Sequence, residues 1–240
     1  MKNQPFKQKR KLWFRMFKQI TRIKYKRPEM RYLGEKPKNG ALILSNHVGA
    51  AAPLTLELYA DFPIRMWGTY EMNSGLVSLY RYQTKVYYHG KKRWNLHLAR
   101  LFCLIASPLT NLYYKGLQLI STYRDTRFLK TVKESVVAIR DRKENLVIFP
   151  EMSEKGYFKE LEGFYAGFVV LAQKLAKEGV DVPVYVCYFN PDTHIYCFDK
   201  PVLFSRLEAE CGDRYELAKH MLDRCNELGK LTETNCQKSK

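Results

Sequence analysis

At 240 residues, 46% apolar and 14% aromatic, the chain has ample material for a packed core, which excludes a disordered chain. Its formal net charge of +17 calls for an anionic partner, either lipid headgroups or nucleic acid. No run supplies the roughly 20 apolar residues that a helical bilayer span requires. Six cysteines without a C-x-x-C pair, and five histidines, give no zinc-ligand spacing, so no metal and reduced, cytosol-facing thiols are expected.

Residues 1–31 hold twelve Lys or Arg against one acid, Glu29, and so carry +11 of the total. The stretch KLWFRMFKQITRIKYK places Trp13, Met16, Phe17, Ile20 and Ile23 at i, i+3, i+4, i+7 and i+10. That spacing predicts one apolar helical stripe, with Lys11, Arg15, Lys18 and Arg22 around the rest. Aromatics on one side and cations on the other describe a helix lying in a membrane interface, so residues 1–33 read as a basic amphipathic membrane-interface helix. The same stripe suits docking on the protein itself, and the two uses are compatible. Nucleic-acid binding is not expected, because no zinc finger, helix-turn-helix or other recognition signature accompanies the charge.

GEKPKNG (34–40) is a turn-rich linker opening an α/β domain over residues 34–240. Apolar strand-like runs recur as ALILS (41–45), IRMWGT (64–69), LQLIST (117–122), LVIFP (146–150) and PVYVCYF (183–189). The longest uncharged run, LFCLIASPLTNLYY (101–114), contains Pro108 and reads as a buried hairpin or a membrane-dipping segment. Helical periodicity marks 126–143 and 164–179, the latter ending on Gly179. NPDT (190–193) is a turn, so HIYCF returns as an antiparallel strand. These elements predict a mostly parallel or mixed sheet with helices on both faces.

Ligands of such sheets gather at the carboxyl ends of the strands. Three polar clusters fall there: NHVG after the first strand, TYE after the second and PEMSEKG after the fourth. A lone histidine, His47, at a strand end is ordinarily a satisfied structural residue. The wider order of SNHVGAAAPLT, KGLQLISTYR, VIFPEMSEKG, FYAGFVVLA and VPVYV, covering roughly 40–205, resembles the glycerolipid acyltransferase family, the lysophosphatidic acid acyltransferases and their relatives.

The resemblance implies His47 as general base and Asn46, Glu151 and Ser153 as substrate-facing positions. It also marks departures: Ala52 stands at the aspartate of N-H-x-x-x-x-D, Met152 at a glycine, Glu154 at an arginine and Tyr165 at a lysine. Acyl transfer to a hydroxyl needs a base near neutrality, and the family carboxylate fixes the imidazole tautomer. Glu71 is the expected replacement because TYEM follows a strand at the same edge, with Glu151 the second candidate; a carboxylate serving a helix N-terminus is the plainer reading of Glu71. Arg124 and Lys155 are expected to meet a phosphate, although each also suits a solvated surface.

The expectation is therefore a membrane-surface O-acyltransferase. An acyl-CoA or acyl carrier protein thioester is its co-substrate, a lysophospholipid or glycerol-phosphate-type hydroxyl its acceptor, and no other cofactor takes part. It would sit peripherally or monotopically on the cytoplasmic face of an anionic membrane. A catalytically impaired lipid-binding protein of the same fold is the alternative.

Overall fold

The computed structural model describes residues 10–153 and 156–233. After helix α1 (Leu12–Lys24) come β1 (Glu29–Tyr32), β2 (Leu42–Ser45), α2 (Ala51–Tyr59) and β3 (Ile64–Thr69). Short helices α3 (Tyr70–Asn73) and α4 (Leu76–Arg81) run into a π-helical stretch, Tyr82–Lys91, and then α5 (Leu96–Leu117). Next are β4 (Ile120–Thr122), α6 (Phe128–Val136), its π-helical continuation Val137–Asp141, and β5 (Asn145–Ile148). The chain closes with α7 (Gly167–Lys177), β6 (Pro183–Asn190), β7 (Ile195–Phe198), β8 (Val202–Leu203), α8 (Phe204–Glu210) and α9 (Arg214–Glu233).

The fold is α/β, with an eight-stranded mixed sheet ordered β1-β7-β6-β2-β5-β3-β4 and β8 on β6. β2, β3, β4, β5 and β6 run parallel, while β7 and β8 pair antiparallel to β6. Period-two alternation sends Leu42, Leu44, Leu146 and Ile148 into the core under α6, α7 and α9. Ile43 and Val147 point the other way, against Ala52 and Leu56 of α2. Both faces are covered, as a parallel sheet requires.

Three expectations are revised. Residues 29–32, assigned to the N-terminal helix, form β1, a parallel edge strand on β7, so the boundary at 33 cuts through the sheet. The segment 101–114 is no hairpin: α5 continues through Pro108, whose missing amide leaves the Leu104 carbonyl without its helical donor. That helix also absorbs Gly116 and Leu117, shortening the strand expected at 117–122, and ends on a left-handed Gln118.

The third revision concerns α1. Its buried residue is Phe14, which lies outside the expected stripe and packs on Tyr113 and Leu117 of α5, with the stripe residues Trp13 and Phe17 half-buried against the same cluster. Lys18 and Arg22, expected on the solvent side, turn inward to the C-terminal carbonyls of α2, Arg22 reaching Leu58 O at 2.9 Å. Cations there complement the helix dipole. Glu57, fully buried, pairs with Arg10 at 3.0 Å and Lys18 at 3.1 Å. Met16, Ile20 and Ile23 remain exposed, together with Leu12.

The seat of Phe14 depends on a missing side chain. A Cβ on Gly116 would stand 2.0 Å from the Phe14 ring. Helix propensity favours alanine over glycine by about 1 kcal/mol, less than overpacking costs. Gly116→Ala should therefore lower the urea midpoint and render α1 cleavable by trypsin, which limited proteolysis would read. Glu57→Ala, which strands two cations in the interior, should cost about 3 kcal/mol in equilibrium unfolding.

Candidate active site

At the end of β2 the backbone leaves the sheet and its polar groups need new partners. Asn46, wholly buried, supplies one pair: its Oδ1 accepts from Phe189 N at 2.8 Å and its Nδ2 donates to Phe189 O at 2.9 Å. The side chain is thereby spent on β6. Ser45 Oγ meets Tyr196 Oη at 2.7 Å. The next amide, His47 N–H, donates to Glu151 Oε2 at 2.7 Å. The chain then turns through left-handed Val48 (φ 44°) and Gly49 (φ 64°) into α2. A β-branched residue in that region is strained, and its place beside His47 is where strain of this kind gathers.

Glu151 is held by a second clamp. Tyr165 N donates to Pro150 O at 2.8 Å and Met152 N to Gly163 O at 2.9 Å, bracketing a one-residue bridge between Glu151 and Phe164. The carboxyl is pushed up to about 7 by burial, against the His47 amide and the charge of Lys91, which favour ionisation.

The imidazole of His47 lies half-buried, stacked on Tyr157 (5.4 Å between centroids, 24°) and edge-on to Phe149 (5.2 Å). Burial lowers it to about 4; the Gly49 and His47 carbonyls oppose the shift and Lys91 adds to it. The ring is therefore neutral at physiological pH. Its Nδ1 is buried without a hydrogen-bond partner. Ala52 is fully buried in the apolar cluster of Ile43, Leu56 and Phe62, so the position offers that nitrogen no acceptor.

Glu71 does not replace it. The Nδ1 of the His47 ring meets no carboxylate among the described residues. Glu71 sits half-buried in the single turn of α3. Its charge is felt instead by the half-buried Tyr82 phenol, which burial raises, Glu71 raises further and Arg124 lowers. Arg124 spreads over the Tyr165 ring at 5.7 Å. Tyr82 in turn raises Tyr157. Ser153 lowers the Tyr157 phenol against the larger effect of burial. Lys155 lies outside the described residues.

Lys91 and Tyr157 carry no motif and were not anticipated. Lys91, the exposed last residue of the π-helical stretch, stands over the Tyr157 ring at 5.8 Å and acts on both His47 and Glu151. One signal for it was available: residues 72–124 contain eight Lys or Arg and no acid, so the charge outside the arm is local too. Tyr157 has no such signal. Among the described residues no cluster of three His, Cys, Asp or Glu is placed to hold a metal.

The site therefore offers a neutral imidazole, a carboxyl that titrates near neutrality and a cation at one sheet edge. That is a constellation able to accept a proton and to face an anion. No protein-family model and no curated protein matches this chain.

The two displaced titrations have opposite signs in stability. Glu151, raised from 4.5, favours the fold below that value and loses the contribution as pH rises through about 7. His47, lowered from 6.5, favours the fold above that value and loses it as pH falls through about 4. The slopes oppose one another between 4.5 and 6.5. His47→Gln should make stability fall with rising pH across that window, and Glu151→Gln should make it rise. Urea midpoints at several pH values check both.

Proposed function

We propose that this protein is an acyltransferase of the membrane surface, moving a fatty acyl group from a CoA or acyl carrier protein thioester to a hydroxyl of a lysophospholipid or glycerol-phosphate-type acceptor. The observation that carries the reading is the neutral His47 imidazole at the convergent carboxyl ends of β2, β3 and β5, beside Glu151 and Lys91. The ordered motifs over residues 40–205 supply the reaction class.

In this reading His47 accepts the acceptor hydroxyl proton as that oxygen attacks the thioester carbonyl. A tetrahedral intermediate forms, the carbon–sulfur bond breaks, and the imidazolium returns its proton to the departing thiolate. Glu151, through the His47 amide, positions the base at the strand end. Lys91 and Arg124 face the phosphate of donor or acceptor, a task suited to charge-assisted hydrogen bonds. Asn46 fixes the turn rather than the substrate, since both its amide groups are engaged. Among the described residues no helix is long and apolar enough to cross a membrane. A peripheral or monotopic enzyme on the cytoplasmic face fits that fact.

A second reading has its own observation. Nδ1 of His47 is buried without an acceptor and position 52 is apolar, so an imidazolium would form with no carboxylate from that position to stabilise it. That favours a lipid-binding protein that has kept the fold and lost most of the chemistry. Loss of the comparable carboxylate function in serine proteases costs on the order of 10⁴ in turnover.

A turnover assay with a panel of lyso-acceptors and acyl thioesters separates the two. Under the enzyme reading His47→Ala loses about 100-fold or more, the usual worth of a general base. Ala52→Asp should raise the His47 titration midpoint seen by NMR and increase turnover, because a carboxylate favours the charged ring. Inertness of the wild type across the panel, with lipid binding retained, would establish the second reading.

A further inference from the structure

Helix α5 packs on α1, α3, α4 and the π-helical stretch with only part of its circumference. Ala99, Cys103 and Ser107 are buried, Ser107 donating to Gln83 at 2.7 Å. Leu98, Leu101, Leu104, Ile105, Leu109 and Leu112 are exposed, Ile105 by 73%. At 100° per residue these side chains occupy an arc of about 140°, and they run about 21 Å along the axis. This reverses the usual amphipathic arrangement of a surface helix, whose apolar stripe faces the core. An exposed apolar face of this extent marks an interaction site.

Charge identifies the occupant. The acid-free stretch 72–124 places exposed Lys91, Lys92 and Arg93 at the N-terminal end of α5, Arg100 upon it and Lys115 in its last turn. Exposed Trp94 adjoins the first group, packed on Tyr88 and Phe102. Apolar side chains between basic ends, with an amphipathic aromatic at one of them, match the depth profile of an anionic lipid surface: acyl region, interface, phosphate. A protein partner of ordinary composition would not ask for cations without acids over this length. Helix α1, seated on the C-terminal end of α5 through Phe14 and Gly116, carries its own exposed apolar row of Leu12, Met16, Ile20 and Ile23.

We propose that the outer face of α5 is a bilayer-insertion surface for anionic lipid, lying in one leaflet and acting together with α1. It deepens the membrane-surface part of the functional reading and does not depend on acyl transfer.

The test is co-sedimentation of the full chain with vesicles of phosphatidylcholine alone or mixed with phosphatidylglycerol, with no acyl donor present. Leu101→Gln/Ile105→Gln removes two exposed apolar side chains and no charge, so the urea midpoint should hold. Its affinity for the mixed vesicles should drop by about tenfold or more, since each side chain withdrawn from lipid forfeits much of its transfer free energy. Wild-type binding should weaken with salt and be poorer on pure phosphatidylcholine. Unchanged vesicle binding by the double variant would overturn the proposal. So would a wild-type dimer, seen by sedimentation velocity, that the double variant converts to monomer without losing vesicles, because the face would then join two copies of the chain. Vesicle binding through α5 by a protein inert in turnover would sustain this proposal and remove only the catalytic reading.

Discussion

The site depends on a constraint of parallel sheets: strand ends that form a cleft leave backbone groups without ladder partners. Here β2 resolves this with two side chains from distant segments. Asn46 bonds both polar groups of Phe189, and Glu151 takes the amide of His47. A buried amide left unpaired costs about as much as a lost hydrogen bond, so these contacts determine where the imidazole stands. The strained turn at Val48 is sustained by the same clamps.

That placement sets the electrostatics. The Glu151 carboxyl is buried with one amide donor, so its charged form is penalised and its titration climbs to about 7. The imidazole meets the same penalty with opposite sign and becomes a weak base held in its neutral form. Proton transfer is most efficient when the base titrates near the working pH, and a carboxylate on Nδ1 would move His47 that way. The apolar packing around Ala52 denies it one. Active enzyme and lipid-binding relative therefore differ by a single acceptor, on which the proposed function turns.

A second network governs the membrane-facing side. Glu57 is buried with Arg10 and Lys18, and Phe14 fills the gap that Gly116 leaves. A buried carboxylate stripped of its partners is strongly destabilising, so the pairs specify where α1 docks rather than adding much net stability. The cations that mark α1 as a membrane helix serve partly inside the molecule. Exposed apolar side chains lie on both helices, Leu12, Met16, Ile20 and Ile23 on α1 and a longer row on α5.

The sequence by itself determined the α/β class, the strands β2, β3, β5, β6 and β7, the return of β7 across a turn, and the helix ending at Gly179. Each follows from local periodicity and turn chemistry, which act over a few residues. It also placed His47 and Glu151 at one sheet edge, because strand order and direction suffice for that. Tertiary structure decided what local patterns cannot encode. Periodicity gives α1 an apolar stripe but not Glu57, the partner that draws Lys18 inward from 39 residues away. The pattern at 29–32 is too short to announce a strand, and β7 makes it one. An uncharged run at 101–114 is consistent with burial or exposure alike, and only packing against Gln83 and Phe14 fixes which side of α5 meets the core. Proximity to the imidazole belongs to the same class: His47 meets Glu151 across 104 residues, while Glu71 sits in the first turn of α3. Sheet topology brings elements to an edge, but side-chain packing decides which of their groups touch.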